Sequence, residues 1–172
     1  MSKLTIGLFG TCANSTWRKS FIEKYEELMF SYFNPQVPSE KWTSEMAGIE
    51  AEHLRDDKIL LFPVLKESFG FASLAEIGFA VHRTLFGDGD LTFRSLIVYI
   101  EPTVCEELHK EFPRIAKENS NARTLVYKHL KSFVDENPFS IYVVNSLEEM
   151  LSQSIECYNA YLEFDQIIDS DI

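Results

Sequence analysis

Ile59-Leu60-Leu61-Phe62-Pro63-Val64 and, after a short loop, Gly70-Phe71-Ala72-Ser73-Leu74-Ala75-Glu76-Ile77-Gly78-Phe79-Ala80 read as a strand feeding a helix. The first run is apolar throughout, as a strand covered on both faces of a parallel sheet is. The second places Leu74, Ile77, Val81 and Leu85 on one stripe at helical spacing, which predicts a helix over 73–86. Gly70 permits backbone geometry that other residues resist, and Ser73 stands where a helix N-cap belongs. The first turn of that helix then holds a single carboxylate, Glu76, at the carboxyl edge of a strand, where open α/β sheets keep their chemistry. Ser73-Leu74-Ala75-Glu76 also spells a capping box, in which the two side chains only satisfy backbone donors of their own turn. Both readings stand on the sequence alone.

Working outward, residues 4–9 form a short apolar run broken by Gly10, expected to be the first and central strand. Residues 11–16 form a small polar loop. A helix over 17–30 follows, with Phe21, Tyr25, Leu28 and Met29 at helical spacing and Ser15 or Thr16 to cap it. Tyr32-Phe33 is very short for a strand and runs into the turn-rich Asn34-Pro35-Gln36-Val37-Pro38. Trp42-Thr43-Ser44-Glu45 opens another helix, which reaches Arg55. Gly87-Asp88-Gly89-Asp90 is a turn that lacks the ligand spacing of a calcium loop.

Residues 96–100 are the clearest strand, and Pro102 ends it. Beyond it lie a charged, weakly patterned stretch, a helix over 123–134, a strand over 141–144 and a closing helix over 147–162. This alternation predicts one α/β domain over 1–162, a Rossmann-like three-layer sandwich with about five mostly parallel strands, and an acidic tail over 163–172. A central first strand implies the flavodoxin-like order 2-1-3-4-5. It brings the loop after the first strand and the loop over 67–73 together on one rim.

The composition is that of an ordinary soluble globule, with 45% hydrophobic and 25% charged residues in 172. A formal net charge of -11 repels nucleic-acid backbones and anionic membranes, so no polynucleotide partner is expected. Three cysteines without C-x-x-C spacing, Cys12, Cys105 and Cys157, argue against a disulfide framework or a zinc site. With no apolar leader and no run near the roughly 20 residues that cross a bilayer, the chain is expected to be cytoplasmic and off the membrane. The four histidines, His53, His82, His109 and His129, show no metal spacing, and there is no Walker loop or Ser-His-Asp arrangement. No metal and no cofactor is expected.

Gly10-Thr11-Cys12-Ala13-Asn14-Ser15-Thr16-Trp17-Arg18, then Phe33-Asn34-Pro35, Trp42-Thr43 and Ser73-Leu74-Ala75-Glu76-Ile77-Gly78 resemble, in order, the nucleoside 2-deoxyribosyltransferase-like family. The likeness covers the first half of the chain; past Val81 it is one of fold. The resemblance implies glycosyl chemistry on a small nucleoside or nucleotide, in a homo-oligomer with sites near the subunit contacts. It makes Glu76 the nucleophile, attacking the anomeric carbon to leave a covalent glycosyl-enzyme. Glu50 becomes the second carboxylate, which holds the base or handles its proton.

The remaining candidates surround that pair. Gly10, Thr11, Cys12, Asn14, Ser15 and Trp17 belong to the loop expected against base or sugar, with Asn34 and Trp42 beyond it and Gly70 and Ser73 at the helix entrance. Arg18 is placed to reach a phosphate, or else is a surface arginine of the first helical turn. Trp17 and Trp42 either stack on a base or pack at the core edge.

Two departures matter. Base-exchanging members carry an aspartate six residues before the nucleophile, where this chain has Gly70. They also borrow an asparagine from a neighbouring subunit after the fourth strand, where this chain reads Glu101-Pro102-Thr103-Val104. Simple hydrolysis therefore rivals transfer, a non-catalytic nucleotide-sensing module using the same crevice is a further alternative, and a flavodoxin-like electron carrier is a third.

Overall fold

A computed structural model describes residues 4–12, 15–38, 41–86 and 94–170. The elements run β1 (Ile6–Leu8), α1 (Trp17–Glu27), β2 (Tyr32–Phe33), α2 (Ser44–Asp56), β3 (Ile59–Val64) and α3 (Phe71–Phe86). They continue with β4 (Ser95–Ile100), α4 (Glu106–Glu111), α5 (Pro113–Glu136), β5 (Ile141–Val143) and α6 (Leu147–Ser170). The sheet has five strands in the order β2-β1-β3-β4-β5, and every pairing is parallel. The Rossmann-like sandwich and its strand order are as the alternation of patterns predicts.

Each face of the sheet has its own core. On one side, Ile6, Leu8, Ile59, Leu61 and Ile97 pack against Trp17, Phe21 and Tyr25 of α1 and against Met150, Cys157 and Tyr158 of α6. On the other, Leu60, Phe62, Val64, Leu96, Val98 and Ile100 pack against Ile77 and Ala80 of α3 and Leu130 of α5, with Leu54 of α2 at the edge. Alternate residues of β3 thus serve opposite layers, which is why its sequence is apolar at every position. The Tyr25 hydroxyl meets the Ser154 hydroxyl at 2.5 Å, joining α1 to α6 within the first core.

Several element bounds differ from the sequence reading. Tyr32 and Phe33 do form a strand, paired in register with Ile6 and Gly7. The helix over 123–134 begins ten residues sooner, with Pro113 in its first turn, and the short α4 precedes it. The closing helix continues through Ser170, so residues 163–170 prolong it. The turn over 87–90 lies outside the described residues. Among the described residues, no helix is long and apolar enough to cross a membrane.

The chain leaves β1 toward β2 on one side and returns to β3 on the other, so the loops after β1 and β3 meet at this switch. The contact is direct. The Thr11 amide donates to the Pro63 carbonyl at 2.8 Å, and the Leu65 amide donates to the Thr11 hydroxyl at 2.8 Å. Gly10 makes the approach feasible: its φ is +87°, and a Cβ there would lie 2.6 Å from the Pro63 carbonyl oxygen.

Candidate active site

The site is built from the loop after β1, the N-terminal half of α3 and the middle of α2. Arg18, in the first turn of α1, turns back under the loop and is only 2% exposed. Its Nε donates to the Leu8 carbonyl at 2.9 Å and its Nη1 to the Thr11 carbonyl at 2.8 Å. Its Nη2 donates to the carbonyls of Phe9 and Gly10 at 3.1 and 3.4 Å and lies 3.5 Å from the Cys12 sulfur. All three guanidinium nitrogens are thus spent on the loop. This corrects both sequence readings of Arg18, since it is neither a surface residue nor free to reach out for a phosphate.

Trp17 is likewise a core residue. Its indole donates Nε1–H to the Thr11 carbonyl at 2.9 Å and meets Phe21 edge-on at 5.0 Å, so no face is left for a base. Trp42 is exposed just ahead of α2. Thr11 is buried and Cys12 exposed. Asn14 lies outside the described residues. Ser15 and Arg18 border a rim depression of about 610 Å³ together with Asn34, whose side-chain oxygen accepts from the Gln36 amide at 3.0 Å.

The helix entrance differs from the capping-box expectation. α3 starts at Phe71, two residues early, and the Leu74 amide donates to the Gly70 carbonyl at 2.9 Å. Gly70 stands immediately before the helix with φ +62°, and a Cβ on it would meet Val64 Cγ1 at 2.9 Å. Ser73 is therefore the third helical residue and not the cap, and it is buried. Glu76 falls in the second turn, where the field of the helix N-terminus has already faded.

Glu76 and Glu50 are both partly buried, whereas Glu45 and Glu52, also on α2, are exposed. Burial pushes the Glu76 carboxyl above its ordinary range, the charge of Glu50 adds to the rise, and Arg18 opposes it. Burial also raises Glu50, again against Arg18. Burial lowers Arg18, while Cys12, Glu50 and Glu76 support its charge. The three groups feel one another across the switch. Neither carboxylate forms a hydrogen bond or ion pair among the described residues. Two carboxyls half withdrawn from water, without donors of their own, are costly to the fold and free for a ligand.

A second, apolar cavity of about 640 Å³ lies between α3 and α5, lined by Leu74, Ile77, Val81 and Leu130 among others. It contains neither carboxylate. Among the described residues, no group of three His, Cys, Asp or Glu side chains is placed to hold a metal. No protein-family model and no curated protein matches the chain.

Proposed function

We propose that the chain breaks the N-glycosidic bond of a small nucleoside or nucleotide, by hydrolysis or by transfer to a second base, with Glu76 as the nucleophile. The carrying observation is the pair of carboxylates Glu76 and Glu50, without a hydrogen bond or ion pair among the described residues and drawn from two helices into the field of one buried guanidinium. The motif resemblance to the nucleoside 2-deoxyribosyltransferase-like family supports the same assignment.

In this reading an oxygen of Glu76 attacks C1 of the sugar. The bond from C1 to the base nitrogen breaks, and its electron pair leaves with the base. Glu50 is raised by burial, holds a proton more readily than a solvated carboxyl and passes it to the departing nitrogen. Water, or another base, then attacks C1 from the other face. The C1–oxygen bond to Glu76 breaks, its electrons return to the carboxylate, and the proton of the incoming nucleophile returns to Glu50. Arg18 opposes the burial of Glu76 and so favours the ionised form that the first step needs. With Gly70 where base-exchanging relatives carry an aspartate, water is the favoured acceptor.

The same reading makes the protein a homo-oligomer. The outer face of α3 supports this, since Phe71, Phe79 and Phe86 are exposed there with Ala72, Ala75 and Gly78 between them.

Free base released from a panel of nucleosides and nucleoside monophosphates tests the assignment. Wild type is expected to release base from at least one substrate, and Glu76→Gln to lose roughly 10³-fold or more in kcat. Undiminished release by Glu76→Gln ends the assignment. Tight binding of one compound with no turnover over hours identifies a sensing module instead.

A further inference from the structure

Arg123, on α5, is fully buried and makes no ion pair among the described residues. Its guanidinium faces main-chain carbonyls from two separate loops. Nη2 donates to the carbonyls of Ser68 at 2.6 Å and Leu65 at 3.1 Å, both between β3 and α3. Nη1 donates to the Glu101 carbonyl at 2.9 Å, with those of Val64 and Thr103 at 3.4 and 3.5 Å. Nε donates to the side-chain oxygen of Asn119, one turn earlier on α5, at 2.8 Å. The amide nitrogen of Asn119 in turn donates to the Phe69 carbonyl at 2.6 Å.

A buried cation surrounded by carbonyls is an expensive way to stabilise a loop, because a guanidinium gives up much hydration to enter the interior. Its return is geometric: a planar fork with fixed donor directions sets where several carbonyls must lie. Three of the carbonyls it holds, those of Val64, Leu65 and Ser68, belong to the segment that carries the chain from β3 to Gly70 and into the first turn of α3, and the other two, of Glu101 and Thr103, to the loop after β4. The rest of that segment is tied to the loop after β4. The Lys66 amide donates to the Glu101 carboxylate, and the Cys105 amide donates to the Lys66 carbonyl at 2.9 Å.

We propose that Arg123, oriented by Asn119, is a positioning residue that fixes where α3 begins and hence where the Glu76 carboxylate stands. Its catalytic consequence rests on the glycosyl-transfer reading above; its structural consequence does not. Arg18 performs the matching task for the loop after β1, so each of the two loops that meet at the switch hangs from its own buried guanidinium.

The full-length chain is compared as wild type, Arg123→Lys and Asn119→Ala, with Glu76→Gln used to assign the Glu76 signal in carboxyl NMR of glutamate-labelled protein. Arg123→Lys keeps the charge and loses the fork. Asn119→Ala keeps the guanidinium and loses its orienting amide, so it carries the test if Arg123→Lys does not fold. In both variants the Glu76 midpoint is expected to fall back toward the ordinary carboxylate range as water reaches it, and to move further than the Glu50 midpoint, which follows only through its coupling to Glu76. With an active substrate, kcat is expected to drop roughly 10- to 100-fold and KM to change less than about twofold. An unmoved Glu76 midpoint in a folded variant overturns the proposal. If wild type releases base from no substrate, the functional reading fails, and the Glu76 midpoint alone decides the role of Arg123.

Discussion

Replacing Glu76 by glutamine removes a charge that the fold opposes. A carboxyl whose folded-state pKa is raised contributes stability below its unfolded value, and that contribution is lost as pH rises through the folded value. Wild type therefore loses stability relative to Glu76→Gln as pH climbs through the carboxylate range. At about pH 7 the variant is expected to be more stable by on the order of 0.5–2 kcal/mol, the usual gain when a functional group held against the fold is removed. Near pH 4, where glutamate is largely protonated even when unfolded, the gap is expected to close. Denaturant unfolding at the two pH values measures this, and a variant less stable at neutral pH would contradict it. Arg18 behaves in the opposite way. The guanidinium meets the carbonyls of Leu8, Thr11 and Phe9 from three separate nitrogens, a spread that the single nitrogen of lysine does not reproduce, so Arg18→Lys is expected to cost about 2–3 kcal/mol in urea unfolding. A cost near zero would mean that the guanidinium does not hold the loop.

At the scale of elements, the hydroxyl residues at the heads of α2 and α3 have different fates. Thr43 is a true N-cap: its hydroxyl accepts from the Met46 amide at 3.3 Å at the head of α2. Ser73 is the third residue inside α3. Thr43→Ala is thus expected to lose about 1 kcal/mol, and Ser73→Ala clearly less, by thermal or urea unfolding. Equal losses would restore the capping box. The difference arises because Gly70, with its positive φ, starts the helix before Ser73 is reached, and a sequence does not display a φ angle.

The strands were readable because β3 and β4 are buried on both faces and advertise it at nearly every position. Their continuous apolar runs mark them as inner strands of a parallel sheet, and a central β1 then implies the order. The first ten residues of α5 show no apolar stripe, because the only positions buried there are Ala116 and Asn119, one small and one polar. Apolar periodicity therefore passes over Asn119, whose amide holds the Phe69 carbonyl. Only the family resemblance pairs Glu50 with Glu76 in the sequence; that both lie near a buried Arg18 needs the third dimension. The same blindness explains why Arg18 read as a surface or ligand-seeking cation and Trp17 as a stacking platform.

For the whole molecule, charge and apolar surface act against each other. Two copies each carrying -11 repel, and the repulsion is long-ranged at low ionic strength. The attraction proposed here comes from the outer face of α3, where Phe71, Phe79 and Phe86 are 58%, 68% and 70% exposed. That face has no carboxylate of its own, since Glu76 lies on the partly buried side. Salt should then strengthen association: it screens the like charges over a Debye length of about 10 Å at 0.1 M and leaves the apolar contact untouched. Sedimentation equilibrium is expected to show the oligomer gaining over the monomer as salt rises. Phe79→Asp puts a charge at the centre of the patch and is expected to remain monomeric throughout. A wild-type chain that stays monomeric in high salt would remove the homo-oligomer from the proposal. Association that weakens with salt would mean that ion pairs, not the phenylalanines of α3, join the copies.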